Sequence, residues 1–181
     1  DGTGDNHAAG TIFTVDATTT LFAKWAEITL SYDPNGGTWS TPPDVKKHSP
    51  DTSVTLLDWG CITKDGYDLV GWNTKVDGSG IYYPQGSTYV MPAEPVVLYA
   101  HWKQQTGMLH LYPNGGYGSA IVTGPISYYA TIALPSTGFH LPGYVLVGWT
   151  SSPEGGLEYP LGHIMTHITG RLDFYAVWEP E

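Results

Sequence analysis

The feature that most constrains this chain is a pattern that recurs at a spacing of 76 to 79 residues. Gly66-Tyr67-Asp68-Leu69-Val70-Gly71-Trp72 returns as Gly143-Tyr144-Val145-Leu146-Val147-Gly148-Trp149, an offset of 77. Leu98-Tyr99-Ala100-His101-Trp102 returns as Phe174-Tyr175-Ala176-Val177-Trp178, an offset of 76, and stands earlier as Leu21-Phe22-Ala23-Lys24-Trp25. Pro34-Asn35-Gly36-Gly37 returns as Pro113-Asn114-Gly115-Gly116, an offset of 79. A fixed period of this kind marks an array in which each repeat is one packed unit. The expected organisation is therefore two whole units, 27–103 and 104–181, preceded by residues 1–26 as the C-terminal remnant of a preceding repeat. The small changes of offset fall between markers, where loops accept insertions.

Composition agrees with strands and turns. Of 181 residues, 23 are Gly, 14 are Pro and 21 are Thr, with 13% aromatic and 13% charged residues. Gly and Pro recur too often for long helices, and the aromatic content is too high for a disordered chain. Trp, Tyr, Thr and Val suit a pleated, half-buried surface. The net charge of −10 rests on seven Lys and Arg against seventeen Asp and Glu. So few cations argue against nucleic acid and against anionic membrane surfaces. No apolar run reaches the ~18 residues of a membrane-spanning helix. Cys61 stands alone, so no intrachain disulfide or Cys-based zinc site is available. The opening Asp1-Gly2-Thr3-Gly4 reads as the start of an excised piece, and absent targeting signals carry little weight.

Within each unit the strands can be placed. Ile28, Leu30 and Tyr32 alternate onto one face before Asn35-Gly36-Gly37, a hairpin signal of strand, turn and strand. In the closing strand Leu98, Ala100 and Trp102 share one face, as do Phe174, Ala176 and Trp178, and Leu21, Ala23 and Trp25. Charge sits only on the opposite face, the solvent side. Leu69 and Trp72 are three apart, so if both reach the core Gly71 belongs to a β-bulge. Tyr83 to Pro92 favours neither element firmly and leaves a short helix or only turns. The expected class is α+β, mostly β, each unit a sandwich of about four strands with at most one short helix. A unit of this size buries only ~60% of its unfolded surface. Trp25, Trp72, Trp102, Trp149 and Trp178 are the expected repeat core.

A unit of about 75 residues with an Asn-Gly-Gly turn, a Gly-Tyr-x-Leu-Val-Gly-Trp strand and a terminal Leu-Tyr-Ala-x-Trp resembles the Listeria–Bacteroides repeat, the internalin B-repeat. The resemblance covers nearly the whole chain. It implies a tandem β-grasp (ubiquitin-like) fold, an extracellular place in arrays on Gram-positive bacterial surface proteins, and no enzymatic activity. The sequence departs from the usual pattern between Thr38 and Asp65, a stretch that holds Trp39 and Trp59.

Candidate chemistry is thin. His163 and His167 would share a helix face and suit a metal, but no Glu follows His163 and the first unit has Ser87 and Met91 there. They are read as surface or half-buried histidines. Leu134-Pro135-Ser136-Thr137-Gly138 matches a wall-sorting pentapeptide but runs straight into the Gly-Trp strand, so it is read as a connection within the repeat. Asp77-Gly78-Ser79-Gly80 and Glu154-Gly155-Gly156 lack the alternating carboxylates of a calcium loop. No catalytic, cofactor or metal residue is nominated. Trp39, Trp59, Tyr128 and Tyr129 lie outside the repeat markers and are the candidates for facing a host protein or glycan. Tyr128 and Tyr129, if in a strand, point to opposite faces. The chain is thus expected to be a non-enzymatic stalk, spacer or adhesive array whose nearest partners are adjacent repeats. The alternative is a glycan- or receptor-binding module.

Overall fold

The computed structural model describes residues 5, 7–8, 10–12, 14, 20–22, 27–58 and 60–181. The expectations for Trp25, for Trp59 and for most of the 1–26 remnant lie outside them. Leu21, expected to face inward, is described and exposed.

Two mixed five-stranded sheets follow one another along the chain. In the first unit the strands are β1 (Ile28–Asp33), β2 (Thr38–Trp39), β3 (Lys46–His48), β4 (Ser53–Thr55), β5 (Ile62–Thr63), β6 (Tyr67–Asn73), β7 (Tyr82–Pro84), β8 (Thr88–Val90) and β9 (Val96–Gln104). In the second they are β10 (Thr106–Tyr112), β11 (Ile121–Ser127), β12 (Ile132–Ala133), β13 (Tyr144–Thr150), β14 (Tyr159–Pro160), β15 (Ile164–Met165) and β16 (Gly170–Pro180). The sheet orders are β3-β1-β9-β6-β7 and β11-β10-β16-β13-β14. In each sheet the first and last strands pair in parallel at the centre, β1 with β9 and β10 with β16. The other neighbours run antiparallel.

One face of each sheet is buried. Leu98 and Ala100 of β9, Ile28 and Leu30 of β1, and Trp72 of β6 form one core with Leu56, Ile62 and Met91 from the covering segments. Leu109, Leu111, Trp149, Phe174 and Ala176 form the other with Ile126, Leu134 and Ile168. The alternation along β9 and β16 therefore faces as the period of two dictates.

The structure revises two expectations, besides giving each unit a five-stranded main sheet where about four strands were expected. No helix forms among the described residues. Thr88–Val90 is strand β8, paired with β4, and Met91, whose N–H donates to the Thr52 carbonyl, is fully buried beneath it. In the second unit β15 pairs with β12 in the same place. Short two-stranded ladders thus cover the core, and β-branched Thr88 and Val90 favour that over a helical turn. None is a helix long and apolar enough to cross a membrane among these residues.

The second revision concerns the Asn-Gly-Gly turn. In the second unit the strands on either side of it, β10 and β11, do pair antiparallel as expected; in the first the strand that follows, β2, pairs with β5, and β1 takes β3 as its antiparallel neighbour. The bulge does occur: Leu69 faces Trp102 and Gly71 faces His101, so Val70 and Gly71 together oppose one residue. The second unit repeats this at Val147-Gly148 opposite Val177.

Candidate functional site

Each unit is locked by two tryptophans whose indole N–H groups donate to backbone carbonyls. A buried indole needs such a partner, because an unpaired N–H would carry its full desolvation cost. Trp72 is fully buried and donates to the Leu57 carbonyl at 2.8 Å. Trp149 is fully buried and donates to the Pro135 carbonyl at 3.0 Å. Trp102 donates to the Pro34 carbonyl at 3.0 Å, and Trp178 to the Pro113 carbonyl at 2.9 Å. Both of these rings lie half-buried against their cores.

The last pair explains the Asn-Gly-Gly motif. Gly37 lies so close to the Trp102 ring that a Cβ there would overlap it, and Gly116 stands the same way to Trp178. Asn35 adopts a φ of 46° and its side-chain amide donates to the Ala100 and Val76 carbonyls, each at 3.0 Å. Asn114, at a φ of 45°, donates to Ala176 at 2.9 Å and Pro153 at 3.1 Å. The turn is therefore pinned to the closing strand across the sheet in both units. Sequence reasoning had the two motifs separately and missed that one binds the other; their joint recurrence in both units was the available signal. Asn35→Ala removes two hydrogen bonds and places Ala at positive φ, so it should cost the first unit roughly 1–3 kcal/mol. A lower urea midpoint with an unchanged m-value would register this.

The second assembly is the joint between the units. A single residue, Gln105, separates β9 from β10. Its N–H donates to the Gly66 carbonyl at 2.9 Å, and its carbonyl accepts from the Tyr128 N–H at 3.0 Å. Its side-chain amide reaches the Asp68 carboxylate at 2.6 Å. The Tyr128 hydroxyl donates to the Asp65 carboxylate at 2.9 Å, and the Tyr129 hydroxyl donates to the Asp65 carbonyl. The Tyr128 ring lies directly on Gly66, whose φ of 69° and close approach both exclude a side chain. The Tyr129 ring centroid is 6.2 Å from that of Tyr67 and 5.0 Å from that of Tyr128. Lys64 sits over the Tyr67 ring at 4.7 Å, a cation–π contact. The hydrogen bond to Asp65 raises the Tyr128 pKa, whereas desolvation followed by the charge of Asp65 raises that of Tyr129.

The remaining candidates fall elsewhere. Trp39 is half-buried, its ring stacked at 6.2 Å on Trp72. Tyr128 and Tyr129 lie in the turn after β11 and meet the first unit. His163 and His167 flank β15, not a helix; one ring meets Tyr159 at 5.1 Å and the other Tyr128 at 4.9 Å. No group of three His, Cys, Asp or Glu close enough to hold a metal occurs among the described residues. The Leu134–Gly138 stretch is built into the fold, with Leu134 buried and the Pro135 carbonyl bonded to Trp149. Asp77 caps its own turn at the Ser79 N–H, 2.9 Å away, and this hydrogen bond lowers its pKa. Cys61 is half-buried against the first core, and desolvation raises its thiol pKa.

Comparison with known proteins agrees with this construction. Two proteins of Evansella cellulosilytica are similar to the chain. One, named as a Gly-rich membrane protein, is 32% identical over 162 residues, which is 88% of this chain and 18% of that protein. The other, named as a membrane protein, is 35% identical over 92 residues, or 50% of this chain and 14% of its own length. The chain thus spans less than a fifth of either relative. No solved structure matches it. The Listeria-Bacteroides repeat domain matches twice, over residues 29–101 and 112–177, which take in both Gly-Trp strands and end one residue before Trp102 and Trp178. The chain belongs to the Listeria-Bacteroides repeat domain family.

Proposed function

We propose that this chain is a non-enzymatic spacer on a bacterial cell surface, in which units 27–103 and 104–181 act as one stiff, length-adding segment. The observation that carries this is the parallel pairing of each unit's first and last strands. A chain that enters and leaves through parallel neighbours enters at one end of the sheet and exits at the other. From the level of Ile28 to Gln104 is about ten strand residues, or roughly 33 Å of advance at ~3.3 Å per residue. The one-residue joint, hydrogen-bonded on both sides, resists bending. The relatives' names as membrane proteins support a place at the cell envelope, and the family assignment supports the extracellular side. The sheet order with its central parallel pair supports a β-grasp relationship, with paired short strands in place of the helix.

Glycan or receptor binding by exposed aromatics has less support, since Trp39 stacks on Trp72 and the Tyr128-Tyr129 pair holds the joint. The test is the relative motion of the units by NMR residual dipolar couplings. A single alignment tensor for both sheets is expected in the native chain. Gly66→Val, which drives a side chain into the Tyr128 ring, should split it into two while both units stay folded. Two tensors in the native chain, or a glycan affinity lost in Trp39→Ala without unfolding, would overturn the spacer.

A further inference from the structure

The second unit carries at its far end the rim that the joint uses in the first. Gly143 corresponds to Gly66, Tyr144 to Tyr67, and Glu181 to Gln105 by the repeat offsets. The backbone agrees: the Glu181 N–H donates to the Gly143 carbonyl at 3.1 Å, as the Gln105 N–H does to Gly66 at 2.9 Å. Tyr144 and Tyr67 both donate from N–H to the residue three before, each at 3.1 Å. Gly143 has a φ of 75° and Gly66 one of 69°.

The two rims differ in what covers them. A Cβ on Gly66 would meet the Tyr128 ring, whereas one on Gly143 would meet nothing within 4 Å. Gly66 is buried and Gly143 exposed. Tyr67 is half-buried, whereas Tyr144 is 43% exposed and its neighbour Val145 45%. The open rim has also lost its charges, since Leu141, Pro142 and Val145 stand where the first unit has Lys64, Asp65 and Asp68. Pro142 stands at the position of Asp65, whose backbone carbonyl accepts from Tyr129 in the joint.

We propose that the rim Leu141–Val145 is a docking surface for the tyrosine turn of a further copy of the second unit, joined in line so that Glu181 takes the place of Gln105. An aromatic ring laid on this rim removes exposed apolar surface from water, the general driving force for association. The occupant follows from the joint already formed, where that same turn covers the equivalent rim. It is specific to units of the second kind. The matching turn of the first unit, marked by Thr52 N–H to Ser49 where the second has Ala130 N–H to Ser127, carries Pro50-Asp51 in place of the tyrosines. The proposal rests on the spacer function and sharpens it, because it makes joint stiffness depend on which unit follows.

The experiment is to extend residues 1–181 after Glu181 by a second copy of residues 106–181 and record NMR spectra of the folded chain. Nuclear Overhauser contacts between the copied Tyr128 ring and the Gly143 α-protons are expected, with one alignment tensor for all three sheets. Gly143→Val should abolish those contacts and free the added unit while the first joint persists. Replacing the copied tyrosine pair by Pro-Asp should do the same without touching the rim, so a folding defect in Gly143→Val would not hide the answer. A folded added unit with its own tensor and no contact to Gly143 overturns the docking surface and leaves the spacer intact. Independent tensors for the first two sheets would instead sink the spacer itself.

Discussion

Replacing Trp149 with Ala should unfold the second unit while the first stays folded. The ring is fully buried, meets the edge of Phe139 at a centroid distance of 5.9 Å, and donates to the Pro135 carbonyl. Its loss leaves a cavity and an unpaired carbonyl in a core of only eight buried residues. Truncations of this kind cost about 3–5 kcal/mol, comparable to the whole stability of a small unit. Each unit has its own core, so urea unfolding should separate into two transitions, only one of them displaced. Trp72→Ala should do the mirror experiment on the first unit. A single transition shifted by less than about 1 kcal/mol would show that neighbouring side chains had closed the cavity, against the near-rigid packing expected of such a core.

The second large effect is expected at the bulge glycines. A Cβ on Gly71 would run into the Tyr83 carbonyl and approach the Tyr82 ring at 2.8 Å. A Cβ on Gly148 would meet the Tyr159 carbonyl. In both cases a backbone oxygen of the neighbouring edge strand is in the way, so relief requires β7 or β14 to move off its sheet. Overpacking typically costs 1–3 kcal/mol, and loss of edge pairing adds to it. Gly71→Ala should therefore lower the first unit's urea midpoint and speed amide exchange at Tyr82 and Tyr83 and at their partners on β6. Unchanged exchange there, with full stability, would mean that the edge strand accepts the extra carbon without separating.

Much of this was legible in residues. The period in Leu98, Ala100 and Trp102 named the buried face of the central strand, because a strand offers only two faces and charge occupied the other. The three-residue step from Leu69 to Trp72 announced the bulge. Thr88–Val90 was ambiguous, since three residues hold no period, and only the partner strand β4 decided it. The Asn-Gly-Gly turn was legible only in part: the hairpin it signals forms in the second unit, while in the first the next strand pairs elsewhere. Positive φ was readable from Asn and Gly, but the Ala100 carbonyl and the Trp102 ring that hold the turn lie about 65 residues further on. Trp39 and the Tyr128-Tyr129 pair looked available for a ligand because they lie outside the repeat markers. Their neighbours, Trp72 and the rim at Asp65–Tyr67, are remote in sequence.

The sequence by itself determined that there are two copies of one strand-rich unit, which face of the closing strand is buried, and which tryptophans recur. Periodicity and composition are local properties, and they need no knowledge of what lies across the sheet. Only the tertiary structure decided how the motifs bind one another and how one unit meets the next. Those contacts join Pro34 to Trp102 and Asp65 to Tyr128, and a hydrogen bond or a ring packed on a glycine exists only once both distant partners are in place.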